Sequence, residues 1–133
     1  MHIKQLKNIL IIFVSMLIML GCGSATKTSA QSFVSITQQQ AKQIMDKEKD
    51  YIVLDVRNAD EYRTGHIPKA VFMPLPMLDK IADKKLPNKK QLILVYCRSG
   101  RRSKEAAKIL VSKGYTNIKE FGGIIDWPYE IEK

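Results

Sequence analysis

Gln91-Leu92-Ile93-Leu94-Val95-Tyr96-Cys97-Arg98-Ser99-Gly100-Arg101-Arg102-Ser103 joins an almost unbroken apolar run to a dense group of cations. The run Gln91–Tyr96 shows no polar alternation, which is the pattern of a strand buried on both faces of a parallel sheet. Gly100 to Lys113 then repeats on a helical period, with Ala106, Ile109 and Leu110 on one face and Gly114 as the C-terminal cap. A buried strand running through a short polar loop into a helix is half of a βαβ unit.

The flanking sequence repeats the alternation. Phe33–Ile36 is a short strand, and Thr37 with Gln40 forms a capping box that opens a helix to about Lys49, with Ala41, Ile44 and Met45 inward. Tyr51–Val56 is a second doubly buried strand, Asn58–Thr64 a short helix ended by Gly65, and Ala70–Met73 a further strand. A helix over Met77–Lys85, a last strand over Asn117–Phe121 and a short helix or loop over Ile124–Glu130 complete the domain. The fold class is therefore α/β with an open parallel sheet, in one domain over residues 33–133.

Residues 1–32 have a different composition. Lys4 and Lys7 precede an apolar run from Ile9 to Leu20, too short for the roughly 20 residues of a membrane span but suited to the core of a signal peptide. Met19-Leu20-Gly21-Cys22 resembles a bacterial lipobox, which implies a signal peptide over residues 1–21, a lipidated Cys22 as first mature residue, and a protein anchored outside the cytoplasm in the cell envelope. Residues 22–32 are small and polar, as in a flexible tether.

The whole chain carries 22 Lys+Arg against 13 Asp+Glu, a net charge of +9. Removal of residues 1–21 takes away two lysines and no acid, so the excess belongs to the domain. It is read as a solvated surface favouring anionic partners, not as a nucleic-acid footprint. With two histidines and two cysteines in all, one of each in the leading segment, a clustered metal centre is not expected.

Cys97 stands where the best strand delivers its chain to a helix N-terminus, the usual ligand-binding edge of a parallel sheet. Loop N–H groups and the helix N-terminus there stabilise an anion and lower a thiol pKa. A free cysteine is more often a small core residue, and arginines are more often a solvated face. Yet Arg101, Arg102 and Lys104 occupy a first helical turn, which favours acids, at a cost of a few tenths of a kcal/mol each unless an anion offsets them. The combination points to a thiolate nucleophile in an anion cradle. His66 is a possible base for Cys97 but is read as structural, Asp55 and Arg57 as loop braces, and Trp127 as a core anchor.

The segment Cys97-Arg98-Ser99-Gly100-Arg101-Arg102-Ser103 resembles the active-site loop of single-domain rhodanese-like sulfurtransferases. Leu54-Asp55-Val56-Arg57 with Asp60-Glu61-Tyr62, then Gly65-His66-Ile67-Pro68-Lys69-Ala70, then Gly122-Gly123 with Asp126-Trp127 resemble three further motifs of that family in order. Lys69 stands where the family usually has glycine. The resemblance implies a rhodanese-like five-stranded parallel sheet between helices, and a two-step transfer in which Cys97 takes a sulfane sulfur from thiosulfate or a persulfide and passes it to a thiol, a protein or cyanide. It further implies that the loop Arg98, Ser99, Gly100, Arg101, Arg102 and Ser103 holds the donor, that no cofactor or metal is needed, and that the protein is a monomer. Two other readings remain: a persulfide carrier or anion sensor, and a phosphatase or arsenate-reductase-like enzyme. Phosphatase loops of this kind place an arginine six positions after the cysteine, where this sequence has Ser103.

Overall fold

The computed structural model describes residues 32–133; the expected signal peptide over residues 1–21, Cys22 and nearly all of the expected tether lie outside the described residues. Five strands, β1 (Val34–Ser35), β2 (Ile52–Asp55), β3 (Val71–Phe72), β4 (Ile93–Cys97) and β5 (Ile118–Gly123), form one sheet in the order β1-β5-β4-β2-β3. Every pairing is parallel. Between them run α1 (Gln38–Lys47), α2 (Ala59–Thr64), α3 (Leu75–Lys85) and α4 (Arg101–Ser112), and a 3-10 turn, Ile124–Asp126, follows β5.

The strands β4 and β2 occupy the middle of the sheet because their side chains are apolar on both faces. Val53, Leu94, Tyr96 and Phe121 pack with Ala41 of α1 and with Tyr62 of α2. Leu54, Ile93, Val95, Cys97 and Ile118 face the other way, onto Leu78 and Ala82 of α3 and Ala106, Ala107 and Leu110 of α4. Two helices therefore cover each face. A fully buried Leu or Ile contributes about 1.5–3 kcal/mol in such a place. By strand alternation the side chain of Cys97 falls on the α3/α4 face, at the C-terminal edge of β4, under the start of α4.

The local rules behave as the sequence suggests. Thr37 and Gln40 form a reciprocal capping box at α1, and Asn58 with Glu61 forms a second at α2. Several boundaries differ by one or two residues, and three of them bear on the site and its supports. The helix α3 begins at Leu75 rather than Met77, since Pro76 fits a first helical turn, where a missing N–H costs nothing. Lys113 caps α4, with Gly114 one position beyond in a left-handed conformation. Most important for the site, β5 does not stop at Phe121 but continues through Gly122 and Gly123, so that Gly123 lies opposite Cys97.

Candidate active site

All five strands are parallel, so five connections leave the C-terminal edge of the sheet, and the one after β4 starts at Cys97. Cys97 is 1% exposed. The backbone N–H of Gly100 donates to Sγ at 3.0 Å, and the Ser103 hydroxyl lies 3.5 Å away. Burial pushes the Cys97 thiol up, but the Ser103 hydroxyl and the amides of Ser103, Gly100 and Ser99 outweigh it, and the pKa is lowered. The chain can curl its amides around one atom because Gly100, the residue before α4, takes φ +112°, a region open to glycine.

The loop is held from below by β5. A Cβ on Gly123 would stand 1.8 Å from the Arg98 carbonyl oxygen and 2.4 Å from the Ser99 nitrogen, so only a hydrogen fits there. The same Arg98 carbonyl accepts the Ile125 N–H at 3.1 Å. Behind the loop sits Glu120, 2% exposed. Its Oε1 accepts from the Ser103 hydroxyl and from the Gly122 N–H, each at 2.7 Å, and its Oε2 from the Ser35 hydroxyl at 3.2 Å. One carboxylate thus ties β1, β5 and the first turn of α4 together. The arrangement is a buried thiol with a lowered pKa, ringed by fixed N–H donors, which suits a sulfur nucleophile and an anion bonded to it.

A family model described as a rhodanese-like domain matches residues 37–128. The chain belongs to the rhodanese-like family. It is 32% identical over 111 residues to thiosulfate sulfurtransferase 18 of Arabidopsis thaliana, covering 74% of this chain and 80% of that one. It is 33% identical over 111 residues to YrkF of Bacillus subtilis, whose name proposes a sulfur-carrier role; that match covers 83% of this chain but only 59% of YrkF. Among solved structures, the rhodanese-like domain of an Anabaena protein superposes with a TM-score of 0.69 at 28% identity, covering 74% of this chain and 77% of that one. The open parallel five-stranded sheet between helices is the fold of these neighbours.

Within this rhodanese-like domain the loop cations divide into two kinds. Arg98 and Arg101 are exposed, and Arg101 has only a loose contact with Glu105, at 3.4 Å. Arg102, expected to reach for a donor anion, is instead committed inside the fold: its two terminal nitrogens meet the two oxygens of Glu61 at 2.7 and 2.9 Å. The reason is position, since Arg102 faces α2 across the end of the sheet. That pair fastens α2 to α4, and Arg102 holds the Glu61 carboxyl below its usual pKa. Ser103 likewise is not a surface contact but a fully buried hydroxyl beneath the sulfur.

The flanking motifs form a second network. Asp55 accepts from Arg57 Nε and Nη2 and from the Tyr96 hydroxyl, at 2.6–3.1 Å. Arg57 also donates to the Gly65 carbonyl at 2.7 Å, and Tyr96 accepts the Ile67 N–H at 3.1 Å. Burial, with the Asp55 charge beside it, pushes the Tyr96 phenol upward, so it remains a donor. These residues brace the loops after β2 and α2. His66 stacks on Tyr62, and its ring nitrogens contact the Tyr62 carbonyl and Glu132, so neither is turned to Cys97. Trp127 is buried against Phe121 and Tyr129. Among the described residues no cluster of His, Cys, Asp or Glu could hold a metal ion.

Glu120 is the residue of the site that the sequence reading passes over. Its signal is an acid two positions after Ile118, on the inward face of a strand, where an apolar residue belongs.

Proposed function

We propose that the chain transfers sulfane sulfur through a persulfide on Cys97. The observation that carries this reading is the sulfur itself: buried, lowered in pKa, and met at 3.0 Å by the Gly100 amide. In the first step the Cys97 thiolate attacks the outer sulfur of thiosulfate, the S–S bond of the donor breaks, and sulfite leaves with the bonding pair. The new Cys97 persulfide anion stays within reach of the loop amides. In the second step an acceptor thiolate or cyanide takes the outer sulfur, and the Cys97 thiolate returns. Arg98 and Arg101 draw the anionic donor toward the loop by long-range attraction, and the Gly100, Ser99 and Ser103 amides fix the charge near the bond that changes.

Mass spectrometry of the full chain after thiosulfate treatment tests the first step. An added sulfur on Cys97, removed by cyanide and absent in Cys97→Ser, is expected; an unmodified Cys97 refutes it. The YrkF similarity favours a second reading, a carrier that is loaded and unloaded by partner proteins. Repeated turnover with thiosulfate and cyanide supports the enzyme, and a single loading without turnover the carrier. Phosphate-ester hydrolysis is expected to be slower by orders of magnitude, because Ser103 stands where the clamping arginine is needed and Arg102 is held by Glu61.

We further propose that Cys22 is lipidated and anchors the domain to the outside of a bacterial membrane, on the strength of Met19-Leu20-Gly21-Cys22. Cys22→Ala is expected to leave the precursor unprocessed or to release the chain from membranes; processing and membrane association as before refute the anchor.

A further inference from the structure

Glu120 is buried two positions after Ile118 on β5, and among the described residues no lysine, arginine or histidine lies within ion-pair distance of it. All three groups that meet its carboxylate are donors: the Ser103 hydroxyl and the Gly122 N–H at Oε1, and the Ser35 hydroxyl at Oε2. A buried charge without a counter-ion is costly, and a neutral glutamine could accept the same bonds. The fold uses the bonds but has no need of the charge. The charge reaches the sulfur through Ser103. A serine hydroxyl has one proton to give. Ser103 Oγ lies 2.7 Å from Glu120 Oε1, 2.9 Å from the Gly100 carbonyl, 3.3 Å from the Gly122 carbonyl and 3.5 Å from Cys97 Sγ. The carboxylate is the nearest of these acceptors, so the hydroxyl serves the sulfur only by turning away from Glu120. Arg102, the cation whose charge bears on Cys97 from α4, is already held by Glu61.

We propose that Glu120 is a positioning residue that sets the balance between the two halves of sulfur transfer: by drawing the Ser103 proton off the sulfur, it leaves Cys97 a stronger nucleophile for loading and a poorer leaving group for discharge. This rests on the sulfur-transfer reading above and adds how that site is tuned. The same thiolate enters both halves. In loading, Cys97 Sγ forms a bond to the outer sulfur of thiosulfate, the sulfur–sulfur bond of the donor breaks, and sulfite leaves with the bonding pair. In discharge, cyanide bonds to the transferred sulfur, the bond to Cys97 Sγ breaks, thiocyanate departs, and Sγ keeps the pair. A less stabilised thiolate attacks faster and departs more slowly, so one carboxylate shifts the two rates in opposite directions.

Glu120→Gln keeps the shape and the acceptor and removes the charge. Loading by thiosulfate and stripping by cyanide are timed separately, in single turnovers of the full chain, at a pH where Cys97 is thiolate in parent and variant alike. For each tenfold rise in thiol acidity, read from alkylation against pH, loading should slow by about 2.5- to 3-fold. Stripping of the persulfide should quicken. Ser103→Ala removes the link, and in that background the effect of Glu120→Gln on both rates should largely vanish. Ser35→Ala, on the exposed edge strand β1, takes one donor from the carboxylate and should move both rates in the opposite sense; it decides the matter if Glu120→Gln does not fold. Two rates that fall together, or rates unchanged in a folded variant, overturn the proposal and leave Glu120 a structural tie. A shift of the same size with Ser103→Ala present overturns the route through Ser103. Absence of any persulfide on the parent after thiosulfate overturns the sulfur-transfer reading itself, and the tuning with it.

Discussion

Replacing Gly123 by alanine isolates one contact. Gly123 has φ −138° and ψ 155°, extended backbone that alanine adopts freely, so the substitution adds no backbone strain of its own. The added methyl would stand 1.8 Å from the Arg98 carbonyl oxygen, 2.1 Å from its carbon and 2.4 Å from the Ser99 nitrogen. These are main-chain atoms, and no rotamer change relieves them. Reaching even 3.0 Å requires the loop and the end of β5 to part by about 1.2 Å, and displacements of about 1 Å at a reacting centre can cost 10²-fold in rate. Overpacking costs about 1–3 kcal/mol in ordinary cores, which for a domain of this size lowers Tm by several degrees at about 4–8 °C per kcal/mol. The assay pairs thermal unfolding with single-turnover loading of Cys97 by thiosulfate. Gly114→Ala is the companion variant: φ is +94°, but the methyl meets nothing within 4 Å. It should cost about 1–2 kcal/mol from the left-handed backbone and leave loading unchanged. Equal loading rates for Gly123→Ala and the parent, with the same Tm, would refute the account of how β5 supports the loop.

Three other outcomes follow from particular contacts. Lys69 is left-handed at φ 68°, the one non-glycine residue so placed among those described, and Lys69→Gly should raise Tm, with the relief of about 1–2 kcal/mol partly offset by the greater freedom of glycine in the unfolded chain. Glu61 has its folded pKa depressed by Arg102, so its contribution to stability is present above the unfolded value of about 4.3 and is lost as pH falls through the lower folded one; Glu61→Gln should destabilise the domain at neutral pH and shrink its loss of stability in acid, measured by urea midpoints from neutral to acid pH. Alkylation of Cys97 against pH should show a midpoint below the free-thiol value of about 8.5, and Glu120→Gln should move it lower still, because it removes a carboxylate behind Ser103 and loosens that carboxylate's hold on the hydroxyl proton; a midpoint at or above the free-thiol value would count against the thiolate.

Sequence and structure agree most closely where a single local rule decides. The doubly apolar runs before Val56 and Cys97 read as buried strands, and the Thr37–Gln40 capping box was legible from residues three apart, whereas the Asn58–Glu61 box, built by the same rule, was not read. The motif order pointed to the β4–α4 loop, where the fold sets the Gly100 amide against the Cys97 sulfur. What could not be read depends on contacts between distant segments. The Arg102–Glu61 pair spans 41 positions and the Ser103–Glu120 bond 17, and charge alone does not say which arginine of three faces solvent. The glycine pair was visible as a motif, but its physical cause, a main chain passing where a Cβ would sit, exists only in three dimensions. An apolar groove walled by Phe72, Leu75 and Met77 is assembled from residues at the ends of β2 and β3 and the starts of α3 and α4, none of which shows it alone.

The donors around Cys97 are mainly peptide N–H groups, and a peptide N–H is not encoded by any particular side chain. Substitution at Arg98 or Ser99, both exposed, leaves those donors in place, whereas Gly100, Gly122 and Gly123 hold the path along which they point. A saturation library selected for sulfur loading should therefore read as an inverted map of chemical interest. Apart from Cys97 itself, exposed loop positions with rich functional groups should tolerate many replacements, and those with no side chain at all should tolerate almost none. New donor preferences would then have to arise outside the loop, while the machinery at the sulfur stays fixed by residues that have nothing to vary.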